Sequence, residues 1–284
     1  EGFPGWHIEC SAMATKYLGA QFDIHGGGMD LLFPHHESEI AQSTICNHVN
    51  PVRYWIHNNM ITIAGKKMGK SYNNVIKLTE MFSGNHPLLT QAFSPMTIRF
   101  FILQTHYRST LDFSSEALVA AEKGLKRLWE SYQLLMKYKV TGMKFDAANL
   151  DKELDEKVNK LIGEFDEFIN DDFNTAKVLA NMFDLAPLIN SIKDGHIRQD
   201  AISATTFSAW QFATQTYLEN IMGLTDTRPP DDKLEGIINL LIEIRKESKN
   251  KKDFTTSDKI RKELQELGIL LKDEKDGEMT WQIA

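Results

Sequence analysis

Two cysteines, Cys10 and Cys46, are all that 284 residues contain. That excludes a disulfide framework and fits a reducing compartment. There is no C-x-x-C pair, so the commonest structural zinc signature is missing as well. No apolar run approaches the roughly eighteen residues of a membrane span, and no charged-then-apolar leader opens the chain. A cytoplasmic location follows as the expectation, with no membrane partner. Neither an internal repeat nor a low-complexity tract is present. Positive charge is in deficit: 32 Lys and Arg against 39 Asp and Glu leave a net −7, an awkward balance for contacting nucleic acid. The deficit is uneven, however. From Arg245 to Lys262 there are eight basic residues against three acids, a local +5. Such a stretch reads either as a solvated helix face or as a patch for RNA.

What is there begins with Cys10 and, twenty-five positions on, the run His35-His36-Glu37-Ser38-Glu39. Pro34 reads as a first-turn residue of a helix from Pro34 to His48, which places His35 and Glu39 at i and i+4 on one face. With Cys10 they offer one sulfur, one nitrogen and one oxygen, a donor set that suits zinc better than magnesium or calcium. The alternative is an ordinary buried Cys10 and a hydrogen-bonded His35. Cys46 reads as a buried helix residue rather than a ligand.

A second cluster is Lys67-Met68-Gly69-Lys70-Ser71. It follows Tyr54–Ile63, which reads as a strand pair or a bent strand, broken by Ala64-Gly65. A cationic loop beside glycine can clamp phosphate, and Lys67 and Lys70 can stabilise charge on a departing pyrophosphate. A solvated turn is the plainer alternative.

The segments Pro4–Met13, Phe22–Asp30 and Phe33–Glu37 closely resemble cysteinyl-tRNA synthetase, a class I aminoacyl-tRNA synthetase, and the match continues in order. Lys67–Ser71 resembles that class's Lys-Met-Ser-Lys-Ser loop with glycine third. His106–Ser109, Asp171–Thr175 and Ser257–Arg261 sit where the family carries similar segments. The resemblance implies adenylation of L-cysteine by ATP, with magnesium, then transfer to tRNA(Cys). It implies one zinc per chain, held by Cys10, His35 and Glu39, whose open place takes the substrate thiolate and rejects serine. It further implies that Gly26, Gly27 and Gly28 let adenosine approach the backbone, with Asp30 on a ribose hydroxyl, although the glycines also read as a tight strand-to-helix turn. Trp6, His7, His25 and His36 are then expected to line the cysteine pocket; Trp6 alternatively reads as core.

The family's His-Ile-Gly-His segment and an upstream fourth cysteine ligand do not occur. The chain is therefore expected to be a C-terminal fragment, inactive alone, of an enzyme that is monomeric at full length. Two other readings are a cysteine ligase of thiol-cofactor synthesis that uses the same adenylate chemistry, and a non-catalytic tRNA-binding fragment.

The expected fold class is α/β plus mostly α. Residues 1–75 form a partial Rossmann-type parallel α/β catalytic domain with short strands and helices. Residues 76–115 form a connecting region, with a buried helix at Met96–Leu103, that the resemblance implies touches the acceptor stem. Residues 116–228 carry apolar side chains at helical spacing (Leu118, Ala121, Leu125, then Val158, Phe165, then Val178, Leu185, Ile189), a bundle in which Asn174 or Thr175 caps a helix. Residues 229–284, after Pro229-Pro230, form a small α+β domain expected to read the anticodon. It comprises two helices, the second ended by Gly268, and two strands joined through Asp276-Gly277.

Overall fold

The computed structural model describes residues 5–138, 146–225, 232–251, 253–267, 269–273 and 279–283. The chain divides into two compact units, Glu1–Asp226 and Thr227–Ala284.

The first unit opens with α1 (His7–Leu18), β1 (Phe22–Gly28), α2 (Glu37–Asn47) and β2 (Val52–Asn58). β1 and β2 pair in parallel, Phe22 opposite Val52 through Gly28 opposite Asn58, so α2 is the crossover a parallel pair requires. One expectation needs correcting here. The glycine run is part of β1 and makes ladder pairs; it is not a turn. The helical course into α2 begins at Pro34 as expected: Phe33 is extended (φ −131°, ψ 132°), the conformation that a following proline imposes, and Pro34–His36 form a wider helical turn that becomes regular α-helix at Glu37.

The Tyr54–Ile63 stretch is likewise not one strand pair. β3 (Ile61–Ile63) belongs to a second sheet, antiparallel to β4 (Lys66–Lys67) and parallel to β5 (Leu111–Phe113). Asn59 makes the break: its side-chain oxygen accepts from Met60 N–H at 2.8 Å while its own N–H reaches Tyr107 O at 2.8 Å. Local side-chain bonds of this kind compete with a ladder.

Beyond β4 come α3 (Leu78–Ser83) and α4 (Pro95–Leu103), the expected buried helix. Ser94 caps α4 by accepting from Thr97 N–H at 3.0 Å, and Pro95 occupies the first turn, where no N–H is needed. Ile98, Phe100 and Phe101 are buried. Arg99 Nε donates to the carbonyl of Met222 at 2.7 Å, 123 residues away.

The bundle comprises α5 (Ser115–Lys137), α6 (Lys152–Asn170), α7 (Thr175–Lys193) and α8 (Ala204–Gln215), the last continuing into a wider turn through Ile221. Each helix has a side-chain cap: Ser114, Asp151, Asn174 and Ser203 accept from Ala117, Leu154, Lys177 and Thr206 N–H. Leu118, Val158, Phe165, Val178, Phe207 and Leu218 are sealed in one core with Ile63, Ile76 and Phe113. Each such side chain contributes roughly 2–3 kcal/mol of transfer free energy.

The second unit contains α9 (Asp232–Asn250), α10 (Phe254–Glu266) and the antiparallel pair β6 (Ile269–Asp273) and β7 (Met279–Ile283), around Ile238, Leu264 and Ile269. Of the basic stretch, Arg245 is buried, and Lys251, Lys259 and Lys262 face Glu247, Glu263 and Glu266 at 3.5 to 3.9 Å. These three lysines remain exposed, and each has part of its charge offset by a carboxylate one turn away. Pro229-Pro230, Lys252, Gly268 and Asp276-Gly277 lie outside the described residues.

Candidate active site

Two side-chain contacts stitch α1 to the entry of α2. His7 Nε2 and His35 Nδ1 share a hydrogen bond at 2.9 Å, and Ser11 Oγ donates to Gln42 Oε1 at 2.9 Å. Along α1, Cys10 falls between His7 and Ser11; along the other segment, Glu39 falls between His35 and Gln42. The two segments are thus held together at one seam, with Glu39 near enough for its charge to act on the Cys10 thiol. Cys10 is exposed, which removes the reading of an ordinary buried cysteine. Its thiol pKa is raised, by desolvation first and by the Glu39 charge second. Burial also raises Glu39, against a smaller opposing effect of His35. Cys46 is exposed too, contrary to expectation, because it occupies the outward face of α2.

Beside the seam, β1 and β2 bring aromatic rings together. His25 stacks on Trp55 with ring centres 4.5 Å apart, and His36 Nδ1 meets His57 Nε2 at 2.8 Å. His36 is buried, and burial, aided by His25, His57 and His35, lowers its pKa to about 4. His25, lowered by burial and then by His57, faces Glu39 at 3.6 Å. Ligand atoms of His25, His36 and Glu39 lie within 4.8 Å of one another. Among the described residues this is the one group of three such side chains brought together, and it shares only Glu39 with the expected set of Cys10, His35 and Glu39. Gly27 has a definite reason to lack a side chain: a Cβ there would lie 2.5 Å from the His36 ring. Gly26 has more room, its nearest neighbour being the Ile56 carbonyl. Trp6 is 71% exposed, so it is not core.

Trp55 and His57 were not anticipated. Their i, i+2 spacing on a strand places both on one face of β2, opposite His25 and Gly27 in the register, a signal visible only once the pairing is known.

The lysines approach from the second sheet. Lys66 and Lys67 form β4, and Lys70 begins a single tight turn to Tyr72. Lys67 Nζ lies 3.7 Å from Asp30 Oδ2, just past the end of β1, so the loop and the glycine strand meet at this exposed pair. Such an ion pair adds at most about 1 kcal/mol and yields easily to a stronger anion. Lys67 and Lys70 are both exposed. Among the described residues, no helix is long and apolar enough to cross a membrane.

Comparison with known proteins identifies the family. Residues 1–123 match the tRNA synthetases class I (C) catalytic domain, and residues 164–225 match the DALR domain. A protein of Bacteroides fragilis named "Cysteine--tRNA ligase" is 50% identical over 287 aligned positions, covering 100% of this chain and 56% of that protein. Those of Parabacteroides distasonis and Cytophaga hutchinsonii are 48% and 47% identical, covering 100% and 98% of this chain and 56% and 55% of theirs. The chain spans a little over half the length of these relatives. It belongs to the cysteine–tRNA ligase family of class I aminoacyl-tRNA synthetases.

Proposed function

We propose that these residues serve an enzyme that activates L-cysteine with ATP, releasing pyrophosphate, and passes the cysteinyl group to tRNA(Cys). The carrying observation is the α1–α2 seam, whose two hydrogen bonds hold together the segments carrying Cys10 and Glu39, near enough for the Glu39 charge to raise the Cys10 thiol. Residues 1–75 act in this reading as the second half of a Rossmann-type catalytic domain. Residues 76–115 touch the acceptor stem, 116–228 are the bundle, and 229–284 read the anticodon. The full-length form is taken to be this sequence within a protein of its relatives' length, a cytoplasmic monomer.

Cys10, His35 and Glu39 hold one zinc ion. The fit is chemical: the donors are sulfur, nitrogen and oxygen, and His7 occupies Nδ1 of His35, which leaves Nε2 free in the usual outer-partner pattern. Zinc supplies a soft, electron-accepting place that prefers a thiolate to a hydroxyl, so serine is rejected without editing. The remaining work falls to the chain's own groups. His25 and His36 are neutral at pH 7, as their lowered pKa values require. They offer hydrogen bonds beside the thiol without adding a competing positive charge, and Trp6 and His7 complete the cysteine side. Gly26, Gly27 and Gly28 bring backbone close to the adenosine and Asp30 accepts from its ribose. Lys67 and Lys70 hold the phosphates of magnesium-bound ATP and offset the charge that grows on the departing pyrophosphate.

Elemental analysis of the full-length form after dialysis against a mild chelator tests the metal directly. About one zinc per chain is expected, lost in Cys10→Ser together with the preference for cysteine over serine. Zinc retained in Cys10→Ser but lost in His25→Ala would move the metal to the His25, His36 and Glu39 group.

A further inference from the structure

The lysine loop is held at two points by side chains from outside it. At its base, Ala64 and Gly65 both adopt the left-handed backbone (φ 50° and 73°), turning β3 back into β4. That conformation is disfavoured for a residue with a Cβ, so something must hold Ala64 there. Asp112 of β5 grips the turn: its Oδ1 accepts from Thr62 Oγ1 at 2.7 Å and from Gly65 N–H at 2.8 Å. Thr62 and Asp112 are direct register partners, so the grip is built into the β3–β5 pairing. The Thr62 and Gly65 bonds lower the Asp112 pKa, as expected for a carboxylate accepting both.

The second point is Asn74. Its Oδ1 accepts from Gly69 N–H at 2.9 Å while its Nδ2 donates to the Lys67 carbonyl at 3.2 Å. One side chain thereby bonds the backbone on both sides of Met68, and Met68 itself packs against the main core. Lys67 carries one of these bonds, and Lys70 is the residue after the other. A glycine-containing loop with two long cations would otherwise lose much freedom on meeting its ligand.

We infer that Asp112 and Asn74 are positioning residues for Lys67 and Lys70: Asp112 fixes the turn from which the loop departs, and Asn74 fixes the spacing at which the two ammonium groups meet a nucleoside triphosphate. The inference rests on the pyrophosphate role proposed above for the two lysines. Neither residue is assigned a contact with substrate.

Both acceptor bonds use the same Asp112 oxygen, which gives a sharp test. Asparagine keeps a carbonyl oxygen at that place and loses only the charge. In the full-length form, Asp112→Ala and Asn74→Ala should each lower kcat for cysteine-dependent pyrophosphate exchange about tenfold, leave KM for cysteine within about twofold, and be matched by no such loss in Asp112→Asn. Hydrogen exchange on the 284-residue chain gives a readout independent of activity. The Gly65 amide should lose protection in Asp112→Ala and the Gly69 amide in Asn74→Ala, with Asp112→Asn unchanged. Exchange activity of both alanine variants within twofold of the parent would overturn the inference. So would a parallel rise in cysteine KM, an Asp112→Asn as impaired as Asp112→Ala, or amides that stay protected. Absence of cysteine-dependent exchange in the unsubstituted full-length form would instead sink the functional reading, and the amide measurement would still decide whether the two grips exist.

Discussion

In the bundle, Leu118, Val158, Phe165, Phe207 and Leu218 are sealed from solvent, whereas from α1 to β2 the sealed side chains include Ser11, His36, Glu39 and Ser43, with Val52 the one large apolar residue among them. Large apolar side chains of that segment face outward instead, among them Ile8, Tyr17, Ile24, Phe33, Ile45 and Tyr54. The helix ends differ in the same sense. α5 to α8 each have a side-chain cap, while α1 and α2 begin at Trp6 and His36 with none. One region invests its interior in apolar area, which stabilises wherever it is placed. The other invests it in histidine and carboxylate, which cost free energy to bury and return chemistry.

The contrast predicts where substitutions are felt. Phe165→Ala should lower the stability of the chain by about 4 kcal/mol, read from the urea midpoint by far-ultraviolet circular dichroism. A loss below about 1 kcal/mol would mean that the bundle core is not what holds this unit together. Lys70→Ala comes next. Its side chain is exposed, so the unfolding midpoint should not move, but in the full-length form the adenylation barrier should rise by about 3 kcal/mol, a hundredfold or more in rate. Cysteine binding should change little, and a near-normal rate would shift the main contact to Lys67. The smallest effect belongs to the outward apolar face. Ile45 is 74% exposed, so Ile45→Gln should alter the stability of this chain by no more than about 0.5 kcal/mol. A larger loss in the same urea measurement would show that the face is already covered.

The same contrast explains what could be read from the sequence. Helical periodicity at Leu118, Ala121, Leu125 and Leu128, and a capping asparagine at Asn174, are local signals, and the structure carries both as read. β6 and β7 follow equally from their apolar runs. The site was legible only in part. His35 and Glu39 could be placed on one face from spacing, and the helical course does begin at Pro34, by way of a wider turn. His57 against His36, His25 against Trp55, and Asp112 against Gly65 are partners 21 to 47 residues apart, brought together by a parallel pairing that no local pattern announces. The separation of β2 from β3 was missed for a similar reason. Asn59 turns the chain toward Tyr107, and nothing within Tyr54–Ile63 points to that distant carbonyl.

The tie between Arg99 and the Met222 carbonyl also has a meaning in time. On a ribosome adding about 5 to 20 residues per second, the acceptor is made roughly 6 to 25 s after its donor. For that interval α4 has its own cap and can pack on β5 and α5, but Arg99 lacks its acceptor. α4 therefore receives this bond only when the bundle is almost complete in sequence, long after its own residues were made. A nascent chain halted just short of Met222 would have every residue of the lysine loop and still lack the bond that ties α4 to the end of the bundle.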